Sequence, residues 1–359
     1  MAAPAGEHPQ TSAAGNDFDF PAAVRRSLAE FPRLRSAAVF LNTDTPKKTY
    51  GHWQARLRGA LMGKSFHNSR YIAQAQETES SSAHQPNFAY PLQTLVFKPD
   101  DALHQALAPT LPQAQAQINR YVFNHELGHL TVPDAYGGWK DGKPYPENAA
   151  DSFAIVKHLQ ENKDDVLLPL VASWGRAYRF VVSGCATHLT SPSIEALVAA
   201  RHAFNLDGLH GKALAGFAAD HAAHRSPNQT DIDEARYIYG SYAGMDNLYP
   251  LQENTGRRLV ALAETALATE NAFAFQLGLI VFRPLLHPAG VEINGITFRL
   301  QEEQRAELET RFEEKAKNLG IPALIRAWKE NADQYCARQS GSATRQPAAS
   351  QPPLKLSIS

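Results

Sequence analysis

The sequence predicts an α+β protein that is predominantly helical, with a small mixed α/β lobe over residues 17–110 and a helical region over 111–338. Three observations lead there. Two short apolar runs of strand length, 36-SAAVFLN-42 and 91-PLQTLVFKPD-100, lie in the first third of the chain. From Asp100 onward, apolar residues recur mainly at helical spacing. One hairpin signal interrupts the helices: 290-GVEINGITFRL-300 alternates Val291, Ile293, Ile296 and Phe298 about Asn294-Gly295, a pair suited to a type I′ turn.

Taken in order, residues 1–16 are rich in Ala, Gly, Pro and Ser and are expected to be disordered. The first helix spans 21–31, with Pro21 in its first turn and Asp19 as its cap. A strand at 36–42 follows. Trp53, Leu57 and Leu61 then give 53–63 helical spacing. The polar segment 76-QETESSSAHQP-86 reads as a loop, and the second strand is ended by Pro99. Further helices are expected at 112–131, 147–160, 164–182, 191–204, 211–223, 230–243, 255–270, 301–318 and 321–336. The tail 339–359 resembles the N-terminus in composition and is expected to be disordered.

Composition narrows the function. With 43% apolar and 20% charged residues, 359 residues can bury a sizeable core. Lys+Arg number 35 against Asp+Glu 36, so the net charge of −1 offers no argument for nucleic acid or an acidic membrane surface as partner. The most apolar stretch, 166–182, is broken by Pro169, Arg176 and Arg179, so no transmembrane helix is expected. The N-terminus lacks the basic start and apolar run of a secretory signal, and Cys185 and Cys336 are too few for a disulfide framework. The expected location is the cytoplasm, or outside it by a route that uses no classical signal.

One stretch stands out: 124-NHELGHLTVPDAYGG-138. His125 and His129 are one helical turn apart, so both imidazoles can meet one metal ion. Glu126, one position round the helix, can reach a water bound to that ion. Chance would produce H-E-x-x-H in a chain of this composition roughly 0.03 times. Gly128 costs about 1 kcal/mol in a helix interior relative to Ala, which suggests a close neighbour there.

A catalytic zinc needs three protein ligands and an open position. Glu147, 18 residues beyond His129, supplies the third from a second helix opened by Pro146. The Pro- and Gly-rich segment 133–144 allows the chain reversal. Asp151, one turn after Glu147, can accept the outward N–H of His125 or His129 and so orient the ring. Asp134 and His158 are rival ligands: Asp134 reads as a turn residue, and His158 lies about three turns beyond Glu147.

His125-Glu126-x-x-His129 followed by 147-ENAAD-151 resembles the gluzincin zinc metallopeptidases, the thermolysin and neprilysin type. The resemblance covers about 40 residues, from roughly 118 to 158. It implies a zincin-like core, one Zn2+ held by His125, His129 and Glu147, Glu126 as catalytic base, and Asp151 behind the ligands. The implied reaction is hydrolysis of peptide bonds in peptide or protein substrates, as an endopeptidase. An aminopeptidase of the same chemistry, or a non-catalytic zinc-binding protein, are the alternatives. The metzincin pattern is absent, since Val132 and Ala135 stand where its Gly and His would be.

Such enzymes also supply an oxyanion donor from the downstream helical region. The candidates are His210, His221, His224, Tyr237 and Tyr239. They also pair extended substrate with an edge strand before the motif helix, and 92–98 is the candidate strand here.

Overall fold

The computed structural model describes residues 18–44, 50–51, 77, 80–85, 92–98, 115–132, 145–163, 165–243, 252–288, 290–293, 296–321 and 354–356. The fold is predominantly helical with small sheets. Helix α1 (Phe20–Glu30) starts where the sequence places it: Asp19 accepts the Ala22 N–H at 2.9 Å, and Pro21 sits in the first turn. A short α2 (Leu34–Ala37) leads into β1 (Ala38–Asn42). Strands β2 (Tyr50–Gly51), β3 (Ser82–His84) and β4 (Gln93–Phe97) complete a mixed sheet of order β2-β1-β4-β3. β1 and β4 pair in parallel, and β3 runs antiparallel to β4 at the edge.

This sheet corrects two expectations. The segment 76–86 is not wholly loop, because Ser82–His84 is a strand. Its register, Ser82 opposite Val96 and His84 opposite Thr94, is set by the partner strand, which a polar tripeptide cannot signal alone. Conversely, 92–98 is not the edge: β4 lies between β1 and β3 with Leu95 and Val96 fully buried.

Two helices carry the motif. α3 (Gln115–Thr131) packs on the sheet through Phe123, whose ring contacts Phe18, Phe20, Phe40 and Phe97. α4 (Tyr145–Asn162) packs against the opposite side. α3 is therefore buried nearly all round, where the periodicity suggested a single apolar face. Its C-terminal carbonyls are held by Arg33, which donates to Leu130 O at 3.2 Å and Thr131 O at 2.6 Å. Gly128 has the close neighbour anticipated: a methyl there would lie 2.8 Å from Ala150 Cα. Because that neighbour is backbone, it cannot swing aside. Gly128→Ala gains about 1 kcal/mol in helix propensity but overpacks by about 1–3 kcal/mol. The expected result is a net loss of stability in denaturant unfolding together with weaker metal binding. Equal or greater stability would contradict the close α3–α4 contact.

Beyond α4 the described residues include α5 (Leu167–Ser183), α6 (Ser191–Ala200), α7 (Gly211–Arg225), α8 (Gln229–Tyr239), α9 (Gln252–Ala268), α10 (Ala272–Phe282), the pair β5 (Val291–Ile293) and β6 (Ile296–Leu300), and α11 (Glu302–Asn318). α10 was not anticipated. Its sequence AFAFQLGLIVF is apolar on every side, so it has no amphipathic period to read. β7 (Leu354–Leu356) pairs in parallel with β6, so the expected disordered tail contains a strand. The expected helices at 53–63 and 321–336 lie outside the described residues, apart from Ile321, which is not helical; so do Asn294 and Gly295.

The core gathers chiefly in two clusters. One joins β1, β4, α3, α4 and the first half of α5; the other joins the second half of α5 with α8 to α11. α5 crosses both, and Trp174 Nε1 donates to Val281 O on α10 at 3.1 Å.

Candidate metal centre

α3 and α4 bring His125, His129 and Glu147 together, so that one ligand atom from each lies within 4.8 Å of the others. The separations are 3.2 Å between the two Nε2 atoms, 3.3 Å from His125 Nε2 to Glu147 Oε2, and 3.5 Å from His129 Nε2 to Glu147 Oε1. A tetrahedral ion with bonds of about 2.0–2.1 Å holds its ligands roughly 3.3–3.4 Å apart. The three donors thus have the spacing and chemistry to hold a metal ion. Glu126 lines the same cleft and is 7% exposed.

Behind the ligands, Asp151 is fully buried and takes four donors. His125 Nδ1 donates to Oδ1 at 2.7 Å, Tyr121 Oη to Oδ1 at 2.8 Å, Arg176 Nη2 to Oδ1 at 3.2 Å, and Thr190 Oγ1 to Oδ2 at 2.5 Å. Of the two histidines the sequence left open, His125 is the one Asp151 orients. This fixes its tautomer and turns Nε2 toward His129 and Glu147. Glu147 receives its own support, from His188 Nδ1 to Oε2 at 2.8 Å.

The electrostatics follow from this packing. Burial opposes a charge on His125, but Asp151 and Glu147 on either side hold its pKa up to about 10. Burial and the neighbouring His125 push His129 down to about 4. Burial also opposes ionisation of Glu147, yet hydrogen bonds from His125 and His188 hold its carboxyl well below the usual range. Asp151 is buried too, and Arg176, His125 and Thr190 keep it ionised.

A prediction arises from these directions. A metal must replace the His125 proton, whereas His129 is already neutral above about pH 4. Between those pKa values, binding should release about one proton per ion, and apparent affinity should rise about tenfold per pH unit. Calorimetry at pH 7 in two buffers of different ionisation enthalpy measures this release; none would contradict the assignment.

The cleft has a volume of about 420 Å³. One wall is Ser81–Gln85, the edge strand β3 with its flanking residues. The other is α3 with the start of α4, where Leu130, Val132, Tyr145 and Ala149 add apolar surface. None of the five anticipated oxyanion donors lines it. His210 is exposed at the start of α7, and His224 is exposed with Nδ1 2.7 Å from Asp220 O. His221 Nε2 meets Ser193 O at 3.0 Å, Tyr237 is 89% exposed, and Tyr239 donates to Ala274 O at 2.6 Å inside the second core. The cleft histidines outside the ligand set are His84 and His188. Neither carries a local sequence signal, because each reaches the site through tertiary packing. His158 is a packing residue, its Nε2 2.9 Å from Asp165 O, and Asp134 lies outside the described residues.

Comparison with protein-family models, with curated proteins and with solved structures finds no match. Among the described residues, no helix is long and apolar enough to cross a membrane.

Proposed function

We propose that this chain is a zinc-dependent peptidase that hydrolyses internal peptide bonds of extended substrates. The observation that carries the reading is the tetrahedral spacing of His125, His129 and Glu147 at the floor of a cleft that Glu126 also lines. Two histidines and one carboxylate leave a fourth position open, the pattern of catalytic rather than structural zinc. The bound metal would polarise the scissile carbonyl and acidify a water.

The chain's own residues do the rest. Glu126, held beside His125 and His129 by the helix that carries all three, takes the proton of the attacking water and passes it to the leaving amine. His84 lines the cleft wall and is the imidazole there that can offer an N–H to the oxyanion, since the Nδ1–H of His188 is given to Glu147. The exposed side of β3 offers main-chain hydrogen bonds to a substrate strand, which restricts substrates to extended segments. Ser82 and His84, two apart on β3, both line the cleft and meet each other at 2.8 Å, so they would read substrate side chains.

Digestion of a peptide library by the zinc-loaded protein, with and without a chelator, tests this reading. Internal cleavage that the chelator stops is expected. Absence of cleavage by the loaded protein, or cleavage that a chelator leaves unchanged, would overturn it.

A further inference from the structure

The turn between α5 and α6 holds both carboxylates of the centre, though it is far from the motif in sequence. His188 donates to Glu147 at 2.8 Å and Thr190 to Asp151 at 2.5 Å. Residues two apart on this turn thus meet residues one helical turn apart on α4. Between them Leu189 is fully buried in the second core, and its N–H donates to Ala186 O at 3.0 Å. Thr190 stands at the N-cap of α6, where a threonine hydroxyl ordinarily accepts from the helix's first N–H groups. Here it makes no such bond and is turned to Asp151 instead. The partial positive charge of the α6 N-terminus further favours the Asp151 carboxylate.

We infer that the turn 186–190 is a clamp that positions the metal ligands: His188 fixes Glu147 directly, Thr190 fixes His125 through Asp151, and Leu189 ties both to the second core. The inference rests on the metal-centre reading above. It means that the helical half of the molecule sets the affinity of a centre whose ligands all come from α3 and α4. His188 and Thr190 are positioning residues in this role, since neither supplies a ligand atom.

The test measures zinc affinity of the full-length protein by competition with a chromophoric chelator, and the visible spectrum of the cobalt(II)-loaded form. His188→Ala and Thr190→Val should each weaken zinc binding roughly 10–100-fold, the usual effect of removing a partner that orients a ligand. His188→Asn, which keeps an N–H near the Nδ1 position, and Thr190→Ser should bind close to wild type. The cobalt bands should shift in the Ala variant and return in the Asn variant, a response that loss of packing alone would not give. His188 is partly exposed, so its two variants decide the matter if Thr190→Val does not fold. A wild type that binds zinc alongside Ala and Val variants that bind it equally well would overturn the clamp alone. A wild type that binds no zinc would overturn the metal centre and the clamp with it.

Discussion

Replacing Glu126 with Gln should leave zinc in place and lower kcat/KM for peptide hydrolysis by about 10²–10⁴-fold, the usual contribution of a positioned acid–base group. The substitution is nearly isosteric at a side chain that is 7% exposed, so packing is little disturbed. It removes only the ability to take a proton from water. The proposed ligands His125, His129 and Glu147 are unchanged, so metal content per chain should match wild type. Undiminished hydrolysis would remove Glu126 from the mechanism. Loss of zinc in the same variant would mean that Glu126 helps hold the metal instead.

Asp151→Asn should have the larger effect on stability. Asn preserves the shape, and its oxygen can still accept from Tyr121 and His125. Its charge is gone, however, and among the described residues Asp151 is the carboxylate paired with Arg176, which is 6% exposed. A buried cation left without its partner costs about 3–5 kcal/mol. Denaturant unfolding of the metal-free protein should show a loss of that order, and zinc affinity should fall about 10–100-fold because His125 loses its acceptor charge. A stability loss under about 1 kcal/mol would show that the Asp151–Arg176 pair is not the hub of this core.

The sign of the pH dependence follows. Asp151 has a folded pKa below its unfolded value, so its contribution is complete above about pH 4 and lost as pH falls toward the folded pKa. The Asn variant should lack this part of the acid sensitivity.

What the sequence reveals and what it hides divide along the range of the interactions. α3 and α4 were legible because their periodic apolar residues and the helix-opening Pro146 are local signals, and the ligands His125 and His129 sit one turn apart. Glu147 was reachable because only a short, Gly-rich stretch of sequence separates it from the motif. The supporting partners carry no such signal. Arg176, His188 and Thr190 are 25, 41 and 39 residues from the carboxylates they hold, and only the packing of α5 and α6 brings them there. α10 lacked periodicity because both sides of it are core. β3 was hidden because an edge strand of Ser, Ala and His derives its conformation from β4. The oxyanion candidates were misplaced for a related reason: their types suited the chemistry, but α7 and α8 turn those side chains to other partners or to solvent.

The most direct test of the central claim is the X-ray absorption spectrum of the protein loaded with one equivalent of zinc. The account predicts about four nitrogen or oxygen neighbours at roughly 2.0–2.1 Å, with the scattering signature of two imidazoles and no sulfur. A sulfur shell at about 2.3 Å, or an all-oxygen environment without imidazole, would place the ion away from His125, His129 and Glu147 and contradict the account.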